Sequence, residues 1–415
     1  MKNSNTSLHF LSAAFLVVFL ASCKQDSGTL VNPPVGSGNP GGNQPGVSPI
    51  PKTPGTIVSP ANNPVDDPKF AARVELGRHL FYDPAFAVDG STSCASCHSP
   101  GAGFSDPRSN EATSMGFQNR MGTRNAPALA NIGYYIAITW DGKFKTLEDH
   151  ALAPIFNNIE MGNNFSATGN DPITTGYYHS DPGANDTLFL FARLDGSNTR
   201  NHGLTDQNST KRDKNGNNYY ALLNNAWGTS TFSLDLIQKS IACFERTFVS
   251  TQSTFDRYNK GDVSVFKYNP EAIHGFQLFT DTAKANCIGC HNGYNFTDQK
   301  FHNNGLYTMA SPITQKYDSG RVGISKDPAD AFKFRTPGLR NVALSAPYMH
   351  DGRKTTLADV LDFYNRGGDP GVTNKDSKIK KLNLTDQDMS DIIEFLKTLS
   401  DPQFTSNGAY ANPWR

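Results

Sequence analysis

The sequence lacks an excess of charge of either sign, and it lacks an apolar run long enough to cross a bilayer comfortably. Its 415 residues carry 38 Lys and Arg against 38 Asp and Glu, a balance that excludes a protein which binds nucleic acid by neutralising phosphates. Few segments alternate in polarity as strands do, so the fold class is predicted to be mainly α. The hydrophobic content of 37% excludes disorder throughout, and the length favours two domains.

The longest apolar run lies near the N-terminus. It extends from Leu8 to Leu20 behind Lys2, which is typical of the h-region of a signal peptide, here predicted at 1–22. The run ends in Leu-Ala-Ser-Cys23, which resembles the lipobox of bacterial lipoproteins, although an ordinary cleavage site is the alternative. We therefore expect a periplasmic protein that meets the membrane only through a lipid on Cys23, with the outer membrane as its expected location.

A segment rich in proline and glycine follows at 23–65. Residues 24–65 contain nine prolines and seven glycines with almost no bulky apolar residue, so they cannot form a core. They are predicted to be a disordered tether with a reach of about 35 Å.

The rest of the chain contains the same ordered motifs twice. The pairs are Gly77-x-x-Leu80-Phe81 and Gly275-x-x-Leu278-Phe279, Pro127-x-Leu129-x-Asn131 and Pro337-x-Leu339-x-Asn341, and Asp141-Gly142-x-x-x-Thr146-Leu147 and Asp351-Gly352-x-x-x-Thr356-Leu357. Three blocks in one order predict two homologous domains, at 66–258 and 259–403, followed by a tail at 404–415.

Helical spacing of apolar residues surrounds these blocks. It occurs before each repeated glycine, along 234–248, and near the end of the chain, where Thr385 is a predicted N-cap. Residues 163–230 have no counterpart in the second copy and are rich in Asn, Asp, Gly and Ser. They are predicted to be mainly a surface insertion, with short helical pieces near 188–194 and 218–226.

Each domain contains one Cys-x-x-Cys-His motif. The two motifs read Cys94-Ala-Ser-Cys97-His98 and Cys287-Ile-Gly-Cys290-His291. This is the attachment pattern of c-type haem, whereas zinc would require four ligands and a disulfide would leave both histidines unexplained. We predict two covalent haem c groups with His98 and His291 as proximal iron ligands. Cys243 lies in an apolar helical pattern and is predicted to be a buried free thiol.

Further motifs lie around the two attachment sites. They read Trp140-Asp141-Gly142, Leu147-Glu148-Asp149-His150, Ile159-Glu160-Met161-Gly162, Ser345-Ala346-Pro347-Tyr348-Met349-His350 and Phe363-Tyr364-Asn365-Arg366-Gly367. Over residues 66–402 this set resembles the bacterial di-haem cytochrome c peroxidase family, in its MauG-like subgroup with a tyrosine ligand. The resemblance implies two tandem cytochrome c-like haem domains with long loops, the N-terminal haem being peroxidatic.

The resemblance also implies roles for three residues. Glu160 would be the acid/base that takes the first proton of hydrogen peroxide and returns it to the distal oxygen. Trp140 would lie between the haems and couple them, and His150 would stand where the family usually has a glutamine. Without the resemblance, Glu160 would be interpreted as an exposed helix-end residue, and the other two as structural residues.

The iron ligands depart from the commonest pattern of the family. Phe117 occupies the position of the histidine that many members place on the peroxidatic iron at rest, so an iron open at rest is expected, unless Met115 or Met121 substitutes in a shifted register. Tyr364 is the expected distal ligand of the C-terminal haem, and Met349 is the alternative. A tyrosinate would lower the reduction potential, whereas a methionine raises it.

The resemblance implies a calcium ion between the domains as well. Its expected ligands are the Asn125 side chain and the carbonyls of Ser345 and Pro347, while His350 would support the second haem without binding iron. The leading functional prediction is reduction of hydrogen peroxide with electrons from a small cytochrome c or cupredoxin. The alternatives are oxidation of a protein or organic substrate and a non-enzymatic electron carrier. Many members dimerise, so a homodimer is a further expectation.

Overall fold

The computed structural model describes most of the chain after the predicted tether. The described residues are 67–108, 111–163, 190–191, 193–194, 211–267, 269–306, 318–372 and 374–415. The predicted signal peptide, Cys23, the tether and much of the predicted insertion lie outside these ranges. Within them, no helix is both long enough and apolar enough to cross a membrane.

Helices dominate the described ranges. They are α1 (Phe70–Phe81), α2 (Cys94–Cys97), α3 (Leu147–Ala151), α4 (Tyr219–Trp227), α5 (Leu234–Glu245), α6 (Thr254–Asn259), α7 (Pro270–Thr280), α8 (Val322–Ser325), α9 (Leu357–Asn365), α10 (Asp386–Lys397) and α11 (Pro402–Thr405). The strands β1 (Phe301–His302) and β2 (Phe334–Arg335) pair antiparallel, with Phe301 opposite Arg335. The mainly α prediction is confirmed.

Side-chain caps start the helices of both copies of the repeat. Thr146 accepts a hydrogen bond from the backbone N–H of Asp149 at the start of α3, and Thr356 accepts one from Asp359 at the start of α9. Thr385 caps α10 in the same way, as its sequence pattern predicts. Each cap satisfies a backbone donor that the first helical turn leaves without a partner.

Each half of the structure contains one closely packed helix pair, α1 with α5 and α7 with α10. A Cβ atom on Gly77 would lie 1.9 Å from the carbonyl oxygen of Ser240, and one on Gly275 would lie 1.9 Å from that of Asp391. Both helices therefore approach their partners at a distance that only glycine permits. This shared contact explains why glycine opens both copies of the first repeated motif.

Two hydrophobic cores lie within one compact unit. Phe81, Phe104 and Phe244 belong to the first core, and Phe279 and Phe395 to the second. Residues of one cysteine motif pack against each core, Cys94 against the first and Cys287 against the second. The boundaries at 66–258 and 259–403 stay predictions.

The end of the chain packs against the first core. Phe404 and Tyr410 are buried there, and the Trp414 indole N–H donates to the carbonyl of His79 at 3.1 Å. Residues 404–415, interpreted from sequence as a tail, thus join the C-terminal half to the N-terminal one. Their aromatic side chains supply apolar area that the first core buries.

The described parts of the 163–230 segment are not confined to the surface. Leu190 and Leu194 are fully buried in the first core, and the Tyr219 hydroxyl donates to the buried Asp83 carboxylate at 2.8 Å. Helix α4 lies where a helical piece near 218–226 was predicted. The polar composition of this segment predicts a surface location, but a few of its apolar residues are buried in the core.

Candidate functional site

Short helical turns present both cysteine pairs. Helix α2 contains Cys94 and Cys97, which share a face because residues three apart are neighbours on a helix. Cys287 begins a 3₁₀ turn of residues 287–289, and Cys290 follows directly. All four thiols are free of disulfides, and so is Cys243, which is buried on α5 as predicted. Burial raises the pKa of the Cys243 thiol to about 11.

Both predicted proximal histidines are oriented in the same way. The Nδ1 atom of His98 lies 2.8 Å from the carbonyl of Phe104, and that of His291 lies 3.0 Å from the carbonyl of Phe296. A carbonyl only accepts, so Nδ1 carries the proton and Nε2 keeps its lone pair. Burial lowers the pKa of both imidazoles. These are the tautomer and charge state that bind iron.

Each histidine opens onto its own cavity. His98 and Cys97 line one of about 590 Å³, and His291, Cys287 and Cys290 line another of about 240 Å³. Each cavity thus offers attachment sulfur and an imidazole Nε2, which fits one haem c per half. Of the described residues, six line both cavities and form a shared wall, namely Asn125, Ala126, Pro127, Trp140, Arg335 and His350.

Glu160 lines the His98 cavity. Its Oε1 atom accepts a hydrogen bond of 2.7 Å from the Asn157 side chain. Glu160 is exposed to this open cavity, yet the protein atoms around its carboxyl reduce the solvation of the charged form and raise its pKa, while the Asn157 hydrogen bond acts in the opposite direction. A carboxyl in this environment exchanges protons more readily near neutral pH than a solvated one does.

A hairpin-like loop holds the backbone of Glu160. The Phe117 N–H donates to the Glu160 carbonyl at 2.9 Å. A Cβ on Gly116 would lie 2.1 Å from the carbonyl oxygen of Ile159 and 2.7 Å from the Glu160 Cα. Nothing in the sequence marks Gly116 for this contact, because the segment it touches lies more than forty residues further along the chain.

His150 lines the same cavity from α3. Burial lowers the pKa of its imidazole to about 4. The Phe144 ring packs edge-on against it at 5.3 Å between ring centroids. His150 is therefore neutral at neutral pH and carries both a hydrogen-bond donor and an acceptor.

Three residues were considered at the position of the resting iron ligand, namely Phe117, Met115 and Met121, and they lie in different surroundings. Phe117 is 1% exposed and belongs to the first core. Met115 lines the His98 cavity, whereas Phe117 and Met121 are not among the described residues that line it. Of the two methionines considered as substitutes, Met115 is thus the one at the cavity.

Trp140 forms part of the shared wall. Its indole N–H donates to the Asn125 carbonyl at 2.8 Å, and its own carbonyl accepts from the Arg335 backbone N–H at 2.7 Å. The His350 ring lies edge-on at 6.5 Å from the indole. Since Trp140 and His350 occupy equivalent positions of the two repeats, each copy contributes one ring to the wall.

The His291 cavity contains both candidate distal ligands. The Asn304 Nδ2 atom lies 3.3 Å from the Tyr364 hydroxyl oxygen and 3.7 Å from the Met349 sulfur. Burial raises the pKa of Tyr364 to about 12, although the Asn304 hydrogen bond lowers it. Asn304 was not singled out from sequence because it belongs to no repeated motif.

The three expected calcium ligands occupy two neighbouring segments. The Asn125 Nδ2 atom lies 2.5 Å from the Pro347 carbonyl oxygen, and the Asn125 N–H donates to the His350 carbonyl at 2.8 Å. The Ser345 hydroxyl donates to the carbonyl of Val342. The side-chain amide of Asn125 would have to rotate by half a turn to present its oxygen beside that of Pro347. Neutral oxygen donors of this kind fit Ca²⁺.

Comparisons with known proteins match both halves. A family model described as di-haem cytochrome c peroxidase matches residues 71–264, and a cytochrome c model matches 272–400. A cytochrome-c peroxidase of Denitromonas iodatirespirans is 31% identical over 371 residues, covering 83% of this chain and 85% of that protein. The methylamine utilization protein MauG of Methylophilus methylotrophus is 31% identical over 353 residues, covering 84% and 87%.

A solved structure matches as well. It is a MauG-like protein associated with microbial copper homeostasis, with a TM-score of 0.64, 30% identity, and coverage of 87% of this chain and 98% of that one. Together with the two family models, this likeness confirms a mainly α fold with two haem-binding domains.

Proposed function

Because the chain belongs to the di-haem cytochrome c peroxidase family, we propose that it reduces hydrogen peroxide to water with electrons from a small cytochrome c or cupredoxin. As a member it is a peroxidase-type oxidoreductase with two haem c groups. The observation that carries the finer proposal is that Glu160 and His98 line one cavity.

In this proposal His98 and His291 each hold one haem through Nε2, and the two cysteine pairs fix the haems covalently. When bound, the haem at His98 supplies the iron centre for peroxide reduction, and the haem at His291 stores and delivers electrons. The overall reaction combines one peroxide, two electrons and two protons into two waters.

Glu160 is the proposed acid/base. As a carboxylate it accepts the first peroxide proton, and as the acid it returns that proton to the distal oxygen, which leaves as water. Asn157 holds the carboxyl in place, and its hydrogen bond favours the charged form before the proton arrives.

His150 is proposed to position peroxide as a neutral hydrogen-bonding group. Its low pKa, caused mainly by burial, keeps it from competing with Glu160 for the peroxide proton. It can also replace the amide that the family usually has there, since a neutral imidazole, like an amide, can both donate and accept a hydrogen bond.

Trp140 is proposed to couple the two haems. Its place in the shared wall and its buried indole, held by Asn125, support this role. Tyr364 is proposed as the distal ligand at His291, with Asn304 as the donor that stabilises its phenolate. We further propose Ca²⁺ at Asn125, Ser345 and Pro347.

The peroxidatic iron is proposed to be open at rest, with Phe117 buried in the core. An EPR spectrum of the resting protein should contain one high-spin signal and one low-spin signal typical of His/Tyr ligation. Two low-spin signals would contradict the open site and would favour Met115 as the resting ligand of that iron.

The assay that tests this function is steady-state peroxide consumption with a reduced donor. Glu160→Gln removes the proton acceptor and keeps the shape, so we expect turnover to fall by about 10²–10⁴-fold. Glu394→Gln makes the same change on α10, where Glu394 pairs with Lys397, and should leave turnover unchanged. Wild-type turnover that Glu160→Gln does not affect would contradict the role of Glu160, and a wild type without turnover would favour an electron carrier.

Oxidation of a protein or organic substrate is the second candidate. The observation in its favour is Tyr364 in the His291 cavity, because an anionic ligand would stabilise oxidised iron at that haem and so favour sharing two oxidising equivalents between the two haems. Rapid reaction with peroxide that leaves the donor unoxidised would favour this function over the first.

We also propose export to the periplasm and a lipid on Cys23. Metabolic labelling with a radioactive fatty acid should mark the wild type and leave Cys23→Ala unlabelled. Labelling of that variant would contradict the anchor.

A further inference from the structure

Arg335 is the largest fully buried side chain among the described residues, at 2% exposure. Its Nε donates to the carbonyl of Thr139 at 3.2 Å, and one terminal nitrogen donates to the carbonyl of Thr336 at 3.3 Å. The guanidinium also lies 4.7 Å from the centre of the Tyr135 ring. None of these partners carries a negative charge, and no carboxylate in the described part of the chain pairs with Arg335.

The neighbouring arginines are different. Arg340, which is equally buried, forms a bidentate pair with Asp256 at 2.8 Å for both contacts. Arg124 pairs with Asp141 and Asp318 at 2.7 and 2.6 Å. The fold therefore supplies a carboxylate to each of these guanidiniums and leaves Arg335 with neutral oxygens.

A buried charge without a counter-ion is costly, because its attraction to water is lost and not replaced. Burial accordingly lowers the pKa of Arg335, although a guanidinium stays charged in proteins. An arginine at such a position is suited to an anion from outside the chain, and a planar carboxylate matches its fork of N–H donors.

Arg335 faces the places where such an anion would lie. It belongs to the wall shared by the His98 and His291 cavities. Arg335 lies on β2, and its backbone N–H donates to the Trp140 carbonyl, which fixes its position in this wall. Haem carries two propionate carboxylates, and this residue borders both haem cavities.

We propose that Arg335 binds haem propionate at the junction of the two cavities and keeps that carboxylate ionised. The inference rests on the two haem c groups assigned above, and it does not require peroxidase turnover. By neutralising a propionate, Arg335 prevents the reduction potential of the adjacent haem from following pH.

The test is a potentiometric titration of the haem-loaded protein at several pH values. In Arg335→Gln the propionate loses its counter-ion, so its pKa should rise into the range of about 5 to 8. Loss of its proton then stabilises ferric haem. The potential of at least one haem should therefore fall with rising pH by about 59 mV, a ten-fold change in the one-electron equilibrium.

Controls separate this effect from a structural one. The reduction potentials of the wild type should hardly change over that pH range. Arg335→Lys keeps the positive charge, so its potentials should also depend little on pH. Arg257→Gln removes an exposed ion pair with Asp262 and should behave like the wild type. Burial lowers the pKa of the wall residue His350 to about 4, below the range. An Arg335→Gln protein with the wild-type pH profile would overturn the proposal.

A second measurement needs no variant. The infrared spectrum of wild-type protein containing haem labelled with ¹³C in its propionates should show the labelled carboxylate ionised at about pH 5. A labelled band of protonated carboxylic acid there would overturn the proposal, even if Arg335→Gln fails to accumulate with haem. Failure of the proposed function would instead appear as absent peroxide turnover in a wild type whose potentials are unaffected.

Discussion

The loop contact at Gly116 leads to a prediction that links packing to activity. Gly116 has φ −94° and ψ −159°, an extended conformation that alanine adopts freely, so Gly116→Ala acts through its added methyl group alone. That carbon would lie 2.1 Å from the Ile159 carbonyl oxygen, whereas such a contact needs about 3.3 Å. The segment that carries Glu160 must therefore move by about 1 Å.

A catalytic group misplaced by about 1 Å can lose about 10²-fold in rate, which corresponds to about 2.7 kcal/mol of transition-state stabilisation. We therefore expect Gly116→Ala to lower kcat/KM for peroxide by about 10²-fold while both haems stay attached. The assay is steady-state peroxide consumption with a reduced donor. Gly101→Ala is the matched control, because a Cβ there would meet no atom within 4 Å.

A double-mutant cycle shows whether the loss acts through the carboxyl. If it does, Gly116→Ala combined with Glu160→Gln should be no slower than Glu160→Gln alone. Additive losses in the double variant would mean that the methyl group disturbs something else. Wild-type turnover in a folded Gly116→Ala protein would refute the geometric reasoning altogether.

Three further predictions follow from the same contacts. Peroxide turnover should fall as the pH is lowered through the Glu160 pKa, which the protein around the carboxyl raises above the usual 4.5, because only the carboxylate accepts the proton; a flat profile in that range would contradict this role. Gly275→Ala should destabilise by at least about 1 kcal/mol in denaturant titrations, whereas Gly323→Ala, with 3.6 Å of space, should not. Calcium found by elemental analysis in the wild type should be absent from Asn125→Ala, and calcium-free wild type would remove the proposed ion.

Both haem-attachment sites follow from local sequence. The attachment cysteines, the proximal histidine and the turn that presents them span five residues in each copy, so spacing alone identifies them. The helix caps are similarly local, as Thr385 illustrates. The duplication, visible in three ordered blocks, was sufficient to predict two related domains.

Other parts of the site involve contacts between distant segments. Gly116 meets Glu160, and Asn304 meets Tyr364 sixty positions away. Neither the residue type nor the sequence spacing of Gly116 and Asn304 predicts these contacts. The aromatic residues at the C-terminus were interpreted as a tail because an aromatic side chain does not reveal which core will bury it.

Arg335 is the clearest example of a feature that the sequence does not predict and the folded structure shows. From sequence it is one of 38 basic residues in a chain of zero net charge, and a total of charges does not reveal which of them are paired. Motif spacing specified the haem attachment, because the two attachment cysteines and the proximal histidine of a c-type haem come from a single turn. The folded chain alone places a buried guanidinium without a carboxylate beside two cavities, because burial and pairing depend on segments that meet only after folding.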